Sequence, residues 1–164
     1  MLKKNEVGPQ TYRDAMARFA GAVHVVATDG AAGKRGATVI AACSVSDAPP
    51  TVLVCLNREN VKNEAFVRNG NFSLNTLGAG QQALAEAFSG HTGLPAAERF
   101  ALAEWDRLSS GAPTLVGALA VFDCEIIDSK DHATHRVLFG RVTAIRVGDT
   151  LQPLIYFNRD YRKI

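Results

Sequence analysis

The chain has 164 residues, 47% of them apolar and 21% charged. That apolar content excludes a disordered chain, and at this length roughly 70% of the unfolded surface can be buried, so one core stands without staples. The net charge of +2 arises from 18 basic and 16 acidic residues scattered in both signs, which leaves no footprint for nucleic acid, and no window of about 18 uncharged apolar residues exists to span a membrane.

The opening Met1-Leu-Lys-Lys-Asn-Glu6 has no apolar signal core, which predicts a cytoplasmic protein. Thr11 followed by Asp14 predicts a capped short helix through Phe19, stopped by Gly21. The β-branched run from Ala22 to Thr28 predicts a strand, Asp29 to Lys34 a turn punctuated by Gly30 and Gly33, and Gly36 to Val45 a second strand. Asp47-Ala-Pro-Pro50 breaks that strand, since proline removes a ladder donor. Thr51 to Leu56, apolar on both faces, predicts a central third strand. Val61, Ala65 and Phe66 then fall at helical spacing, and Gly70 closes that helix. Asn71 to Leu77 alternates as a half-buried strand, and Gly80 to Phe88 predicts a short helix. Ser89 to Pro113 reads as irregular, with a helical turn around Pro95 to Phe100. Strands follow over Leu119 to Ile127, His135 to Val147 and Pro153 to Phe157, the first two joined by a polar connection from Asp128 to Thr134. This is one domain over residues 1–164, mainly β with short helices. Hairpin-linked strands exclude a doubly wound parallel sheet and favour an antiparallel barrel with helices at its rim, although an open sandwich satisfies the same pattern.

Several kinds of chemistry are excluded. Neither a GxxxxGK[ST] loop, a GxGxxG fingerprint nor a GxSxG elbow occurs. Cys43, Cys55 and Cys124 are odd in number, widely spaced and set in apolar stretches, which fits small buried thiols better than a zinc site or disulfides. His132 and His135 stand three residues apart, a spacing that on one strand points them to opposite faces and disfavours a metal. Asp106, Asp123, Asp128 and Asp131 read as turn or surface residues rather than an acid–base pair. Two features remain. From Thr38 to Ser44 no large side chain follows Ile40, so either a flat ring lies on the backbone there or the small residues face another strand. The polar turn Asn57 to Asn63 opens a helix, where Arg58 or Lys62 could add charge for an anion or where the turn is simply solvated.

The stretches Tyr12 to Phe19, Gly36-Ala-Thr38, Cys43 to Ser46, Pro49-Pro50, Val52 to Asn57, Phe72 to Asn75, Leu84 to Gly90 and Thr134 to Gly140 together resemble the short-chain NAD(P)H:flavin oxidoreductase family. These are flavin reductases that serve two-component flavin monooxygenases. The resemblance runs in order from about residue 11 to residue 161, and the run from Ser44 to Arg58 is most similar to reductases of pyrimidine catabolism and 4-hydroxyphenylacetate hydroxylation. It implies an FMN-binding split β-barrel, a homodimer, FMN or FAD as cofactor, NADH (alternatively NADPH) as hydride donor, and a separate oxygenase that receives reduced flavin. It implies also that Thr38, Val39, Ile40, Ala41, Ala42, Cys43 and Ser44 line the isoalloxazine. Asn57, Asn60, Lys62 and Asn63 would hold the ribityl chain and phosphate, helped by Phe88, Ser89 and Gly90. His135 matches the histidine beside the nicotinamide, with a positioning or proton-supplying role, and Tyr156, Arg159 and Tyr161 match the dinucleotide segment. Many relatives carry hydroxyl residues where this chain has Ile40, Ala41 and Ala42. The alternative function is a non-catalytic flavin- or haem-binding carrier or sensor on the same fold.

Overall fold

The structure, a computed structural model, describes residues 6–164; the first five residues of the segment read for a signal core lie outside it. Helix α1 (Pro9–Met16) begins ahead of Thr11, with Gly8 at its N-cap and Pro9 in the first turn, where the fixed φ of proline suits a helix start. Asp14 therefore caps nothing and binds Arg159 instead. Strands β1 (Gly21–Ala22) and β2 (His24–Thr28) split the predicted first strand at Val23. Val23 donates its N–H to Leu154 O (3.1 Å) and accepts from Leu77 N (2.9 Å), so the chain crosses there from one sheet to another.

The predicted second strand is likewise two: β3 (Arg35–Val39) and β4 (Ala42–Asp47), with Ile40 and Ala41 between them. Strand β5 (Pro50–Asn57) follows, then a 3-10 turn at Val61–Asn63, helix α2 (Glu64–Asn69) and strand β6 (Asn71–Thr76). Gly70, at φ +72°, ends α2 in a left-handed cap that favours glycine. Helices α3 (Gln82–Ser89) and α4 (Ala96–Phe100) come next. The segment expected to be irregular also holds a small hairpin, β7 (Trp105–Arg107) with β8 (Pro113–Leu115). Long strands β9 (Ala120–His132) and β10 (His135–Val147) absorb most of the predicted polar connection, because only Ala133 and Thr134 are needed to turn. The charged residues from Asp128 to Asp131 are exposed strand positions rather than loop. Strands β11 (Leu154–Phe157) and β12 (Asp160–Lys163) form a terminal hairpin, whose second arm carries too little hydrophobic pattern to be read from sequence.

Seven strands form one antiparallel sheet in the order β3-β2-β6-β9-β10-β5-β4. Its two outermost strands are consecutive in the chain, so two residues, Ile40 and Ala41, carry the backbone from one edge of the sheet to the other. The sheet must therefore curl until its edges approach; Cys55 N bonds Ala41 O at 2.9 Å, one step beyond the Ala42–Val54 pair, so the link is already on the β5 side at Ala41. The closure is a seam between β3 and β5 without a full ladder: a split barrel, not a sandwich. Register shifts at Phe139/Gly140 and Val142/Ala144 bend β10 against β9. At Gly140 a Cβ would collide with the Phe72 ring and with Cys124 Cβ, so glycine is required where the barrel tightens.

Both faces of the sheet are buried over β2, as its unbroken apolar run implies. Val26, Val54, Phe66, Phe72, Leu74 and Leu138 pack inside the barrel. Val25, Leu77, Leu84, Phe88, Phe100, Leu115, Val121 and Leu154 pack outside it, beneath α3, α4 and the terminal hairpin. Asp123, read from sequence as a turn or surface residue, is fully buried. It accepts hydrogen bonds from Ser109 N (2.6 Å), Ser110 N (2.7 Å) and Ser110 Oγ, tying the loop before β8 to the barrel. Nothing local marks it, since Glu125 two residues on is acidic as well and is exposed. The thiols diverge too: Cys124 is buried, Cys55 half-buried, and Cys43 exposed.

Candidate functional site

The seam opens into a cavity of about 600 Å³, within the range of small-molecule sites. One wall runs from Ala37 through Thr38, Val39 and Ile40 to Ala41, and the facing wall is Cys55, Leu56 and Asn57 on β5 with His135 beside them on β10. Strand β3 pairs only with β2, so alternate residues turn N–H and C=O groups away from the ladder, toward the opening. Thr38 Oγ1 donates to Ala85 O at 2.6 Å, fixing this wall to α3. Thr38, Ile40 and Ala41 thus border a cavity, and Ala37 both borders it and touches the barrel core. The wall ends at Ala41: Ala42 packs on the barrel core, and Cys43 and Ser44 lie on the exposed edge strand β4. These three do not join the rest of the stretch assigned to the ring.

At the other end the cavity is bounded by Phe88, Ser89 and Gly90 where α3 stops, and by Asn60, Lys62 and Asn63 from the 3-10 turn. The backbone donors of that turn are partly used by its own asparagines. Asn57 Oδ1 accepts from Glu59 N (2.9 Å), and Asn60 Oδ1 accepts from Lys62 N (3.2 Å). Asn63 Nδ2 donates to Asn57 O (2.9 Å), while Asn63 Oδ1 accepts from Arg35 Nε (3.0 Å). Positive charge therefore comes from side chains: Lys62, and two arginines that sequence reasoning missed, Arg35 and Arg99. Arg58 is turned away, its guanidinium 3.2 Å from Asp131.

Among the described residues neither Arg35, Lys62 nor Arg99 has a carboxylate within salt-bridge distance, whereas Arg58, Arg107, Arg136, Arg141, Arg146, Arg159 and Arg162 each have one. Burial, and then the neighbouring Arg99, lower the proton affinity of the Arg35 guanidinium. Cations gathered without acids favour an anion between them, and a guanidinium fork suits phosphate. No sequence pattern links these three positions; only the closure of the barrel brings β3, the 3-10 turn and α4 together.

His135 is exposed, opposite Asn57 on one side and His132 on the other. Its Nδ1 lies 2.8 Å from Thr134 Oγ1, which leaves Nε2 for a ligand. Because a turn separates His132 from His135, the two are cross-strand partners on one face, not neighbours on opposite faces of one strand. Tyr156, Arg159 and Tyr161 line a second cavity of about 550 Å³, separate from His135. The two cavities share Thr38, Val39, Ile40 and Ser89, so this rim alone separates them. The tyrosine rings meet edge to face at 5.2 Å. Burial, then Glu86 and Tyr156, push the Tyr161 phenol up. Arg159, at φ +64° in the terminal turn, is held by Asp14, whose carboxyl it keeps below the usual range.

Residues 16–164 match the model of the flavin reductase like domain. The chain is 49% identical over 156 residues to the FMN reductase (NADH) RutF 2 of Methylorubrum extorquens, covering 95% of this chain and 90% of that protein. A solved structure from Haemophilus somnus superimposes with a TM-score of 0.91 at 41% identity, covering 96% of this chain and all of that one. BorF, the flavin reductase component of a bacterial two-component tryptophan halogenase, superimposes at 0.87 with 27% identity, over 96% and 98% of the two chains.

Proposed function

The chain belongs to the flavin reductase like family, and from that premise we propose that it transfers hydride from NADH to FMN and hands the reduced flavin to a separate oxygenase component. The observation that carries the reading is the seam cavity, with unpaired strand backbone at one end and acid-free cations at the other. A flat heterocycle bearing a phosphate has the same polarity along its length. The relative RutF 2 is an NADH-dependent FMN reductase, and BorF serves a two-component halogenase.

Nicotinamide and flavin supply the hydride chemistry between themselves, and the protein supplies position, which accounts for the lack of an acid–base dyad in the sequence. Ala37 to Ala41 present backbone to the ring edge, and the two alanines add only methyl groups, so the ring can lie close. Arg35, Lys62 and Arg99 hold the phosphate. His135 Nε2 orients the nicotinamide carboxamide from the facing wall. Tyr156 and Tyr161 receive the rest of the dinucleotide across the Thr38–Ile40 rim. Exposed apolar side chains at Val45, Ile145 and Val147 on the outer face, together with Tyr12, Met16 and Phe19 at helical spacing near α1, support a homodimer; light scattering at micromolar concentration gives twice the chain mass if this is right and the single-chain mass if it is wrong.

The decisive assay follows NADH at 340 nm. Oxidation rises steeply with added FMN; turnover independent of flavin, or none with flavin, rejects the function. A carrier or sensor would bind flavin without oxidising NADH.

A further inference from the structure

The two cavities that meet at the Thr38–Ile40 rim differ in charge. The seam gathers Arg35, Lys62 and Arg99, and no acid lines it. Across the rim the carboxylate and guanidinium groups belong to Glu86, Arg159 and Asp160. Two of these are already matched: Arg159 holds Asp14, and Asp160 lies 3.4 Å from Arg162. Glu86 is not. Among the described residues it has no cation within salt-bridge distance. Its Oε1 accepts from Gln82 Nε2 at 2.9 Å, one turn earlier on α3, and its Oε2 has no hydrogen-bond donor among the described residues. The charge is felt across the cavity, since Glu86 follows burial among the causes that push the Tyr161 phenol up.

We propose that Glu86 is the residue that selects NADH over NADPH, its free carboxylate oxygen accepting from the adenosine ribose and its charge repelling the 2′-phosphate that NADPH carries on that sugar. The inference rests on the hydride-transfer reading above and deepens it by naming the residue that chooses the donor. A carboxylate only accepts hydrogen bonds, so it suits a sugar hydroxyl and has nothing to offer a phosphate. The edge-to-face rings of Tyr156 and Tyr161 give the adenine its apolar surface and leave the sugar to the α3 side. Taken as a sphere, a cavity of about 550 Å³ is roughly 10 Å across, so a 2′-phosphate seated anywhere in it stays within about one Debye length of Glu86. Arg159 does not offset this repulsion, because its own charge is spent on Asp14.

The test measures kcat/KM for NADH and for NADPH on the full chain at saturating FMN. The wild type favours NADH about tenfold or more, and raised salt narrows the gap, because it screens a charged phosphate and not a neutral hydroxyl. Glu86→Gln keeps the length of the side chain and the oxygen that Gln82 holds, and removes only the charge. It raises kcat/KM for NADPH about tenfold and lowers that for NADH about threefold, while FMN affinity stays within about a factor of two and reports an intact fold. Glu86→Lys carries the shift further, to a preference for NADPH. One arm needs no variant: adenosine 2′,5′-bisphosphate inhibits NADH oxidation by the wild type more weakly than 5′-AMP does. The proposal is overturned if the wild type uses both nucleotides equally or prefers NADPH, if both change by the same factor in the variants, if neither variant moves their ratio, or if the bisphosphate inhibits as well as 5′-AMP. Failure of the wild type to oxidise either nucleotide with FMN present rejects the hydride-transfer reading itself.

Discussion

Arg35→Met separates the phosphate role of the cationic end from every other role. Methionine keeps the length and apolar bulk of the stem and removes only the guanidinium. In the structure that group donates one charge-assisted hydrogen bond, to Asn63 Oδ1 at 3.0 Å, and has Arg99 as a like-charged neighbour. Losing the Asn63 bond costs the apo protein about 1.5–3 kcal/mol. Removing a like-charge neighbour returns part of that, so the apo stability falls by about 2 kcal/mol or less. The ligand-bound state loses more. A hydrogen bond to a charged group is worth about 1.5–3 kcal/mol, so FMN affinity falls roughly 10- to 150-fold. Riboflavin, which has the ring and the ribityl chain but no phosphate, supplies the internal control: its affinity changes less than about threefold. Fluorescence titration of both ligands against both proteins gives the four constants. Equal losses for riboflavin and FMN would place Arg35 against the ring or would show general damage, and an unchanged FMN constant would remove Arg35 from the site; either result refutes the argument from unpaired cations.

His135→Ala lowers hydride transfer roughly 2- to 13-fold, the value of one positioned hydrogen bond of about 0.5–1.5 kcal/mol, and leaves FMN affinity unchanged; a raised KM for NADH marks a binding role and a lowered kcat a transition-state role. Gly36→Ala sets a methyl 2.5 Å from Phe88 Cε1 and 3.2 Å from Phe100 Cζ, so denaturant titration should show a loss of about 1–3 kcal/mol, together with weaker flavin binding as Phe88 is driven toward the cavity. His24 is pushed down to about 4 by burial. Its depressed folded value means that the unfolded chain binds the extra proton, so stability is fully present above about pH 6.5 and falls progressively toward pH 4. The loss is roughly 3 kcal/mol, and His24→Gln should show a correspondingly flatter acid limb in urea titrations from pH 7 to 4.

The strands were legible where burial imposed a period. Val25 and Val26 are buried on opposite faces of β2, and such a run reads as a strand whatever sheet it enters. What the local pattern lacks is the identity of the neighbour. Nothing in Thr38 to Ser44 indicates that β3 and β4 leave Ile40 and Ala41 for opposite edges of one sheet, and that break decides where the ring wall ends. Ala42, Cys43 and Ser44 continue the small-residue run that the family resemblance assigns to the ring, and pairing with β5 carries them to the far edge of the sheet. His132 and His135 failed in the same way, because a two-residue turn converts neighbours along a strand into partners across a ladder. Family resemblance located Asn60, Lys62, Asn63 and Ser89 on the cavity, yet it did not reach Arg35 and Arg99. A lone arginine has no motif, and its meaning lies in which carboxylates are missing around it.

The distribution of contacts along the seam bears on how a reductase releases its product. At the ring end the cavity offers strand backbone and the methyl groups of Ala37 and Ala41, and at the other end it offers three cations. Binding free energy under the proposed function is therefore concentrated on the phosphate, which keeps its charge when the ring is reduced. A site of this kind discriminates weakly between oxidised and reduced flavin, since only interactions that differ between two states can shift their balance. A charged side chain aimed at the ring would hold one redox state and slow its departure. Among the residues that line the seam, the ring end has none, and the departures at Ile40 and Ala41 from the hydroxyl residues of relatives thin the side-chain contacts there further. The sequence that looked poorest in catalytic groups is, on this reasoning, suited to giving its product away.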